Sequence, residues 1–325
     1  MRRRLPLVVI AMTAFAASCT GGGDPAPTPS TLEPAGDATS FSAQVASSDL
    51  AVDSAEPVQI GVFSSTDEEG VRLLSFGEID VAFSYLGDGS GSPVAGPTTT
   101  AGFVAAPGND VAGGGGGGPT LTDPDEIAGV YLTPDVTFPQ PGVWNATVTV
   151  AVDGAEPIEL DAALNVYPEH RIPAPGEKAP MTRNHTIDSK GVPAVSLDSR
   201  AQDAAEVPDP ELHDTTIAQA IREGRPALVQ FATPAYCQSQ FCGPTVEAQE
   251  TLASEYADVA EFIHVEIWRD HQDSVVNRAA ADWLLREDSL TEPWMYLIDG
   301  DGMIVDRWGP LFDLDDVRAE LEALR

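Results

Sequence analysis

The stretch "ALVQFATPAYCQSQFCGP", residues 227–244, decides how the C-terminal half of the chain is interpreted. Apart from Gln230, its first six residues form an uninterrupted apolar run, which is typical of a buried strand. Cys237 and Cys242 follow with four residues between them, and Gly243 and Pro244 come directly after the second cysteine. Because proline is favoured in the first turn of a helix, the pattern predicts a strand, a loop that carries the cysteines, and then a helix.

The spacing of the two cysteines limits how they can pair. In a regular helix two residues five positions apart lie about 8.6 Å from each other, beyond the Cα separation of roughly 4.4–6.8 Å that a disulfide needs. A Cys237–Cys242 bond therefore requires a turn or distortion between them.

Composition limits the partners of this chain. A length of 325 residues suggests two domains. The chain has 51 acidic and 17 basic residues and a net charge of −34. Such a charge argues against binding to nucleic acid and against electrostatic attraction to anionic lipids. We therefore expect no nucleic-acid partner.

The N-terminus predicts export and a lipid anchor. "MRRR" is followed by a short apolar segment and by "AASC", which resembles the bacterial lipobox that is cleaved and acylated. The resemblance implies a signal peptide over residues 1–18 and a lipid on Cys19, so that the protein sits on the extracytoplasmic face of the cell membrane. Residues 19–40 are rich in Gly, Pro, Ser and Thr and are predicted to be a flexible tether. With Cys19 acylated, Cys237 and Cys242 form an even pair in a compartment where disulfides persist.

Two further patterns divide the rest of the chain. Residues 41–168 alternate apolar and polar side chains, as in "IDVAFSY", "VWNATVTVAV" and "IELDAALNV", which predicts an all-β immunoglobulin-like sandwich. Residues 169–193 are predicted to be a linker. Residues 194–325 alternate strand and helix patterns and end in a hairpin and a helix, which predicts an α/β domain with a mixed sheet flanked by helices. Among these patterns, "AVSLDS" (194–199) predicts a strand and "DSVVNRAAADWLLRED" (273–288) predicts a helix.

The order of these C-terminal elements resembles the thioredoxin fold. "ALVQFATPAYC" is similar to the family's central strand and active-site cysteine, and "TEPWMYLIDGDGMIVDRWG" is similar to its cis-proline segment and hairpin. The nearest group by this resemblance is the membrane-anchored, extracytoplasmic thioredoxin-domain lipoproteins. The resemblance implies a thioredoxin-like α/β domain over residues 194–325 and implies nothing about residues 41–168.

The resemblance also implies a site. Its predicted catalytic residues are Cys237, Cys242 and Pro293, and its predicted substrate-binding residues are Tyr236, Glu292 and Trp294. The resemblance leaves two registers open. In the first, Cys237 takes the family's attacking position; in the second, "FCGPT" matches the family's "WCGPC" and Cys242 is the attacking thiol at the helix start. The distance from the strand to the cysteines favours the first register. The chain departs from the family in two ways: four residues separate the cysteines where the family has two, and Gln230 stands where the family often has a buried acid. Because glutamine cannot titrate, the second departure raises the odds of a purely structural disulfide.

These observations predict thiol–disulfide exchange on exported proteins, with no cofactor and no metal site. One alternative is a non-catalytic binding lipoprotein with a structural disulfide. Another is a copper-handling protein, for which His264 and His271 are the histidines nearest to the cysteines in sequence. The remaining histidines lie in linker-like segments without ligand spacing: His170, His185 and His213.

Overall fold

The computed structural model describes residues 39–66, 70–88, 92–109, 118–202, 206–237, 239, 241–287 and 289–325. Its strands are β1 (Ser40–Val45), β2 (Leu50–Ala51), β3 (Ala55–Glu56), β4 (Gln59–Thr66), β5 (Gly70–Ser75), β6 (Glu78–Gly87), β7 (Val94–Ala105), β8 (Thr120–Thr122), β9 (Gly129–Leu132), β10 (Val136–Thr137), β11 (Gly142–Val150), β12 (Ile158–Tyr167), β13 (Ala227–Ala232), β14 (Glu261–Glu266), β15 (Trp268–Asp270), β16 (Val275–Val276), β17 (Trp294–Ile298) and β18 (Ile304–Trp308). Its α-helices are α1 (Ile217–Arg222), α2 (Cys242–Tyr256), α3 (Arg278–Leu284) and α4 (Leu314–Ala323).

Most strands of the N-terminal half form one large sheet, and β3 and β10 pair separately. Nine of the ten strands of the large sheet follow the order β2-β12-β11-β6-β7-β9-β4-β5-β8, and β1 pairs with β4. The pairs are antiparallel except for β2 and β12. The alternating pattern places one set of side chains inside, as predicted: Ile79, Val81, Phe83, Trp144, Ala146, Val148, Ala162, Leu164 and Val166. Burial of these apolar side chains is the main force that holds the sheet in this shape.

The predicted fold class is wrong. We expected a thioredoxin-like α/β domain, with a mixed sheet flanked by helices, after an immunoglobulin-like sandwich. Instead the chain is mostly β, with 40% strand and 19% helix, and its main sheet curls into a half-barrel of many strands. Only four α-helices occur in the described part of the chain, and α1 and α3 have six and seven residues.

The sandwich prediction failed for a physical reason. Alternation of apolar residues specifies which face of a strand is buried, but it does not specify the neighbouring strand. β7 is 12 residues long and pairs with β6 along one part and with β9 along another. This strand therefore joins what would have been two separate sheets into one continuous, curled sheet.

A second, four-stranded sheet carries the cysteine segment. Its order is β14-β13-β17-β18, with β13 parallel to β14 and antiparallel to β17. All six residues of β13 are buried, because both of its faces are covered. Phe231 packs in a cluster with Trp283, and Leu228 packs in another cluster with Leu252. The predicted strand at residues 227–232 is thereby confirmed.

Two local predictions in this region are wrong. Residues 194–199 were expected to form a strand, but they lie in two 3-10 turns, Ala194–Ser196 and Ser199–Ala201. The helix predicted around residues 273–288 is limited to α3, because β16 pairs with β15 instead of joining the helix. In both places hydrogen bonds to neighbouring segments outweigh the local sequence pattern.

Polar side chains connect the two sheets. Arg307 on β18 is 8% exposed, and its guanidinium donates to Asp49 Oδ2 at 2.7 Å and to Glu56 Oε1 at 2.8 Å. Gln59 on β4 donates from Nε2 to the carbonyl oxygen of Leu311 at 2.6 Å and accepts from the Leu311 amide at 3.1 Å. Because these groups are buried, the contact is specific to one relative placement of the sheets.

Residues 169–193, predicted to be a linker, pack against the smaller sheet. The amide of Gly176 donates to the Ile304 carbonyl at 2.9 Å, and that of Ala179 donates to the Gly302 carbonyl at 2.9 Å. The domain boundaries drawn from the sequence stay a prediction.

The predicted signal peptide, Cys19 and nearly all of the predicted tether lie outside the described residues. Over the part of the chain that is described, no helix is both long enough and apolar enough to span a bilayer.

Candidate active site around Cys237 and Cys242

The two cysteines form a disulfide at the start of α2. Their Cα atoms lie 5.9 Å apart, within the usual range for such a bond. Cys242 is the first residue of α2, and Cys237 lies in the loop after β13. The prediction that the bonded pair does not span a regular helix is confirmed, because Cys237 lies before α2, and the helix start next to Pro244 is confirmed as well.

The two sulfurs have different surroundings. Cys242 is 0% exposed and packs in an apolar cluster with Ala232 and Val246, whereas Cys237 is partly exposed. The backbone amide of Cys242 donates to Cys237 Sγ at 3.4 Å, and Ser239 Oγ lies 3.3 Å from the same sulfur. Hydrogen bonds of this kind favour the thiolate form once the bond is reduced. Because Cys237 is the partly exposed residue of the pair, its sulfur is the one that an outside thiol can reach.

The buried position beneath the helix holds no acid. Gln230 is fully buried on β13, and its Nε2 donates to Thr245 Oγ1 at 3.4 Å. Thr245 Oγ1 in turn donates to the carbonyl oxygen of Cys242 at 3.2 Å. This chain of hydrogen bonds connects the central strand to the first turn of α2, but it has no group that titrates.

An acid approaches the sulfurs from another segment. One carboxylate oxygen of Glu292 and the two sulfurs all lie within 4.8 Å of one another. Glu292 Oε2 is buried and has no hydrogen-bond partner. Burial raises the pKa of Glu292 to about 7, and the nearby Glu266 carboxylate adds to the shift. The carboxyl group can therefore both hold and release a proton near neutral pH.

Glu292 was predicted from the sequence only because it precedes Pro293, and its predicted role was substrate binding. The peptide bond between Glu292 and Pro293 is cis, as predicted. The available signal in the sequence was an acidic residue next to a proline in an otherwise apolar stretch. The approach of Glu292 to the sulfurs, however, depends on how β17 pairs with β13. Trp294 is only 7% exposed, and its Nε1 donates to Thr291 Oγ1 at 3.0 Å.

A cavity of about 660 Å³ lies next to the cysteine loop and is lined in part by Ser239, Phe241 and Glu292. Tyr236 is on its wall and stacks on His271, with ring centroids 3.9 Å apart. Pro293 and Trp294 also border the cavity. Ala46 and Ser48, which follow β1 in the chain, also line the cavity, so segments next to both sheets shape it. The structure thus gathers all the predicted site residues except Cys19 in one region.

The two histidines considered for copper do not belong to this group. Glu292, and no histidine, is the third residue grouped with the two sulfurs within 4.8 Å. His264 is buried and its Nε2 donates to the carbonyl oxygen of Ala232 at 3.2 Å. His271 is stacked on Tyr236 as described above.

Comparison with known proteins gives no match for this chain, whether to a family model, to a curated protein or to a solved structure.

Proposed function

We propose that this chain is a lipid-anchored extracytoplasmic protein that exchanges thiols and disulfides with exported proteins through Cys237 and Cys242. The observation that carries the proposal is the asymmetry of the pair. One sulfur is reachable and accepts a hydrogen bond from the helix N-terminus, and the other is buried behind it with a carboxyl group nearby. A purely structural disulfide needs neither a reachable sulfur nor a neighbouring acid.

The geometry supports a two-step exchange. A thiolate of the partner attacks Cys237 Sγ, the bond to Cys242 breaks, and its electron pair leaves on Cys242 Sγ. That sulfur takes the proton of the Glu292 carboxyl group, and a mixed disulfide joins the partner to Cys237. A second thiolate of the partner then displaces Cys237, so that the partner leaves oxidised and both cysteines are reduced. The same steps in reverse reduce a disulfide of the partner.

Single-cysteine variants test the proposal. The probe is a peptide with two cysteines, supplied in its oxidised form to reduced protein. Cys242→Ser should accumulate a mixed disulfide through Cys237, because nothing remains to resolve it. Cys237→Ser should trap none, because Cys242 is buried. If the two phenotypes exchange, Cys242 is the attacking thiol and our assignment of roles is wrong.

A different result would support the non-catalytic alternative. If neither variant traps the peptide and the reduction potential of the pair lies below about −300 mV, the bond is structural. The proposed exchange activity would then be rejected, and the lipid anchor would be left as a separate question.

A further inference from the structure

Three buried polar residues form a cluster away from the cysteines. Asp198 precedes the 3-10 turn Ser199–Ala201, His213 ends the 3-10 helix Pro210–His213, and His264 lies in β14. Asp198 and His213 are 0% exposed and His264 is 1% exposed. One carboxylate oxygen and one ring nitrogen from each histidine lie within 4.8 Å of one another. The proposed exchange reaction uses none of these residues.

The distances in this cluster are too long for hydrogen bonds. His213 Nε2 lies 3.7 Å and His264 Nδ1 lies 3.5 Å from Asp198 Oδ2, whereas N–H···O bonds span about 2.7–3.2 Å. Two ligands that each lie about 2.0–2.1 Å from a tetrahedral metal ion are separated by roughly 3.4 Å. The observed distances are therefore closer to those between ligands of one ion.

The imidazole nitrogens lack other partners. His213 Nδ1, His213 Nε2 and His264 Nδ1 are buried without a hydrogen bond, and a buried polar atom without a partner destabilises the fold. His264 Nε2 donates to the Ala232 carbonyl, which leaves the lone pair of its Nδ1 directed at the cluster when the ring is neutral. Metal-binding histidines are commonly oriented by such a second hydrogen bond.

The charges around the cluster favour a divalent cation. Arg200 pairs with Asp198 at 2.6 Å, with Asp209 at 2.9 Å and with Glu250 at 2.7 Å. Three carboxylates around one guanidinium leave two negative charges uncompensated when all are ionised. Arg200 donates to Asp198 Oδ2 from Nη2 at 2.6 Å and from Nε at 3.1 Å. The guanidinium and the two histidine nitrogens therefore share this oxygen, with the histidines 3.5 and 3.7 Å away.

We propose that Asp198 Oδ2, His213 Nε2 and His264 Nδ1 bind a divalent transition-metal ion, with zinc the best fit to two nitrogens and one oxygen. Since all three residues are buried, the ion is structural and is incorporated as the chain folds. The bound ion connects the segments of Asp198 and His213, which precede α1, to His264 in β14. Ser199 extends this connection, because its Oγ accepts from the Ala235 amide at 3.0 Å in the loop that leads to Cys237.

The test measures bound metal in the full-length, oxidised protein, so that the cysteine thiols cannot contribute. The protein is refolded with Zn²⁺ or Co²⁺ and dialysed, and the metal is quantified by mass spectrometry. We expect about one equivalent per chain, visible absorption from bound Co²⁺, and a lower Tm after removal of metal with a strong chelator. His271→Asn is the matched control, because His271 stacks on Tyr236 outside the cluster, and it should bind as the parent protein does.

His213→Asn and His264→Asn should each reduce the bound metal at least tenfold. Should either variant fail to fold, the parent protein still decides the question. Less than a tenth of an equivalent in the parent protein after refolding with metal, or a Tm that chelation leaves unchanged, would overturn the proposal. Full metal content in both folded histidine variants would overturn it as well. None of these results depends on whether the cysteines exchange.

Discussion

Replacing Glu292 by glutamine should change how stability depends on pH. The folded protein holds the proton of Glu292 with a pKa of about 7, against a reference value of 4.5. Between these two pH values the folded state binds more protons than the unfolded chain, so stability falls as the pH rises. Above pH ~8 the whole contribution of the bound proton to the free energy of unfolding is lost. At 1.36 kcal/mol for each pKa unit, and with an allowance for partial exposure of the carboxylate, this loss is about 2–3 kcal/mol.

Glutamine cannot ionise, so the Glu292→Gln protein should lack this loss. Relative to the parent protein it should gain about 2–3 kcal/mol between pH 4.5 and pH 8, or roughly 3–5 °C in Tm for a chain of this size. The assay is thermal or urea unfolding of the oxidised protein over this pH range, where the cysteines do not titrate. Glu247→Gln, an exposed carboxylate on α2, is the control and should unfold like the parent protein at each pH.

The same variant should slow the proposed exchange. Without a proton donor beside Cys242 Sγ, the rate near pH 7 should fall by about 10²-fold, the lower end of the range for general acid catalysis. Parallel stability curves for the parent protein and Glu292→Gln would refute the placement of this carboxyl group. A normal pH–stability difference with an unchanged exchange rate would refute only its role in proton transfer.

Three other changes should have measurable effects. Asp49→Ala removes the nearest carboxylate from buried Arg307 and should cost about 3–5 kcal/mol in urea unfolding; a loss below about 1 kcal/mol would mean that Glu56 alone neutralises the guanidinium. Gln230→Asp should restore part of the exchange rate in the Glu292→Gln background, because it adds a buried acid below α2; no gain there would argue against acid catalysis at this site. Cys19→Ser should move the protein from the detergent phase to the aqueous phase, and a parent protein already in the aqueous phase would contradict the lipid anchor.

The sequence alone determined the local features of this protein. Alternating apolar residues predicted which faces of β6, β11 and β12 are buried, since side chains on a strand alternate whatever the strand pairs with. The apolar run before Cys237 predicted the buried strand β13, and the proline at position 244 predicted the start of α2. The sequence also required a turn or distortion between the cysteines, because the geometry of a regular helix excludes a disulfide between residues five apart.

Only the tertiary structure decided which segments meet. A strand pattern does not name its partner, so the long β7 could join strands into one half-barrel where the sequence predicted a sandwich. Glu292 reaches the sulfurs because β17 pairs with β13, and His213 reaches His264 across 51 residues of chain because a 3-10 helix packs against β14. Local periodicity indicates which side chains are buried. The contacts between distant segments depend on the paths of the loops and on the total free energy of packing, and no short stretch of sequence determines these.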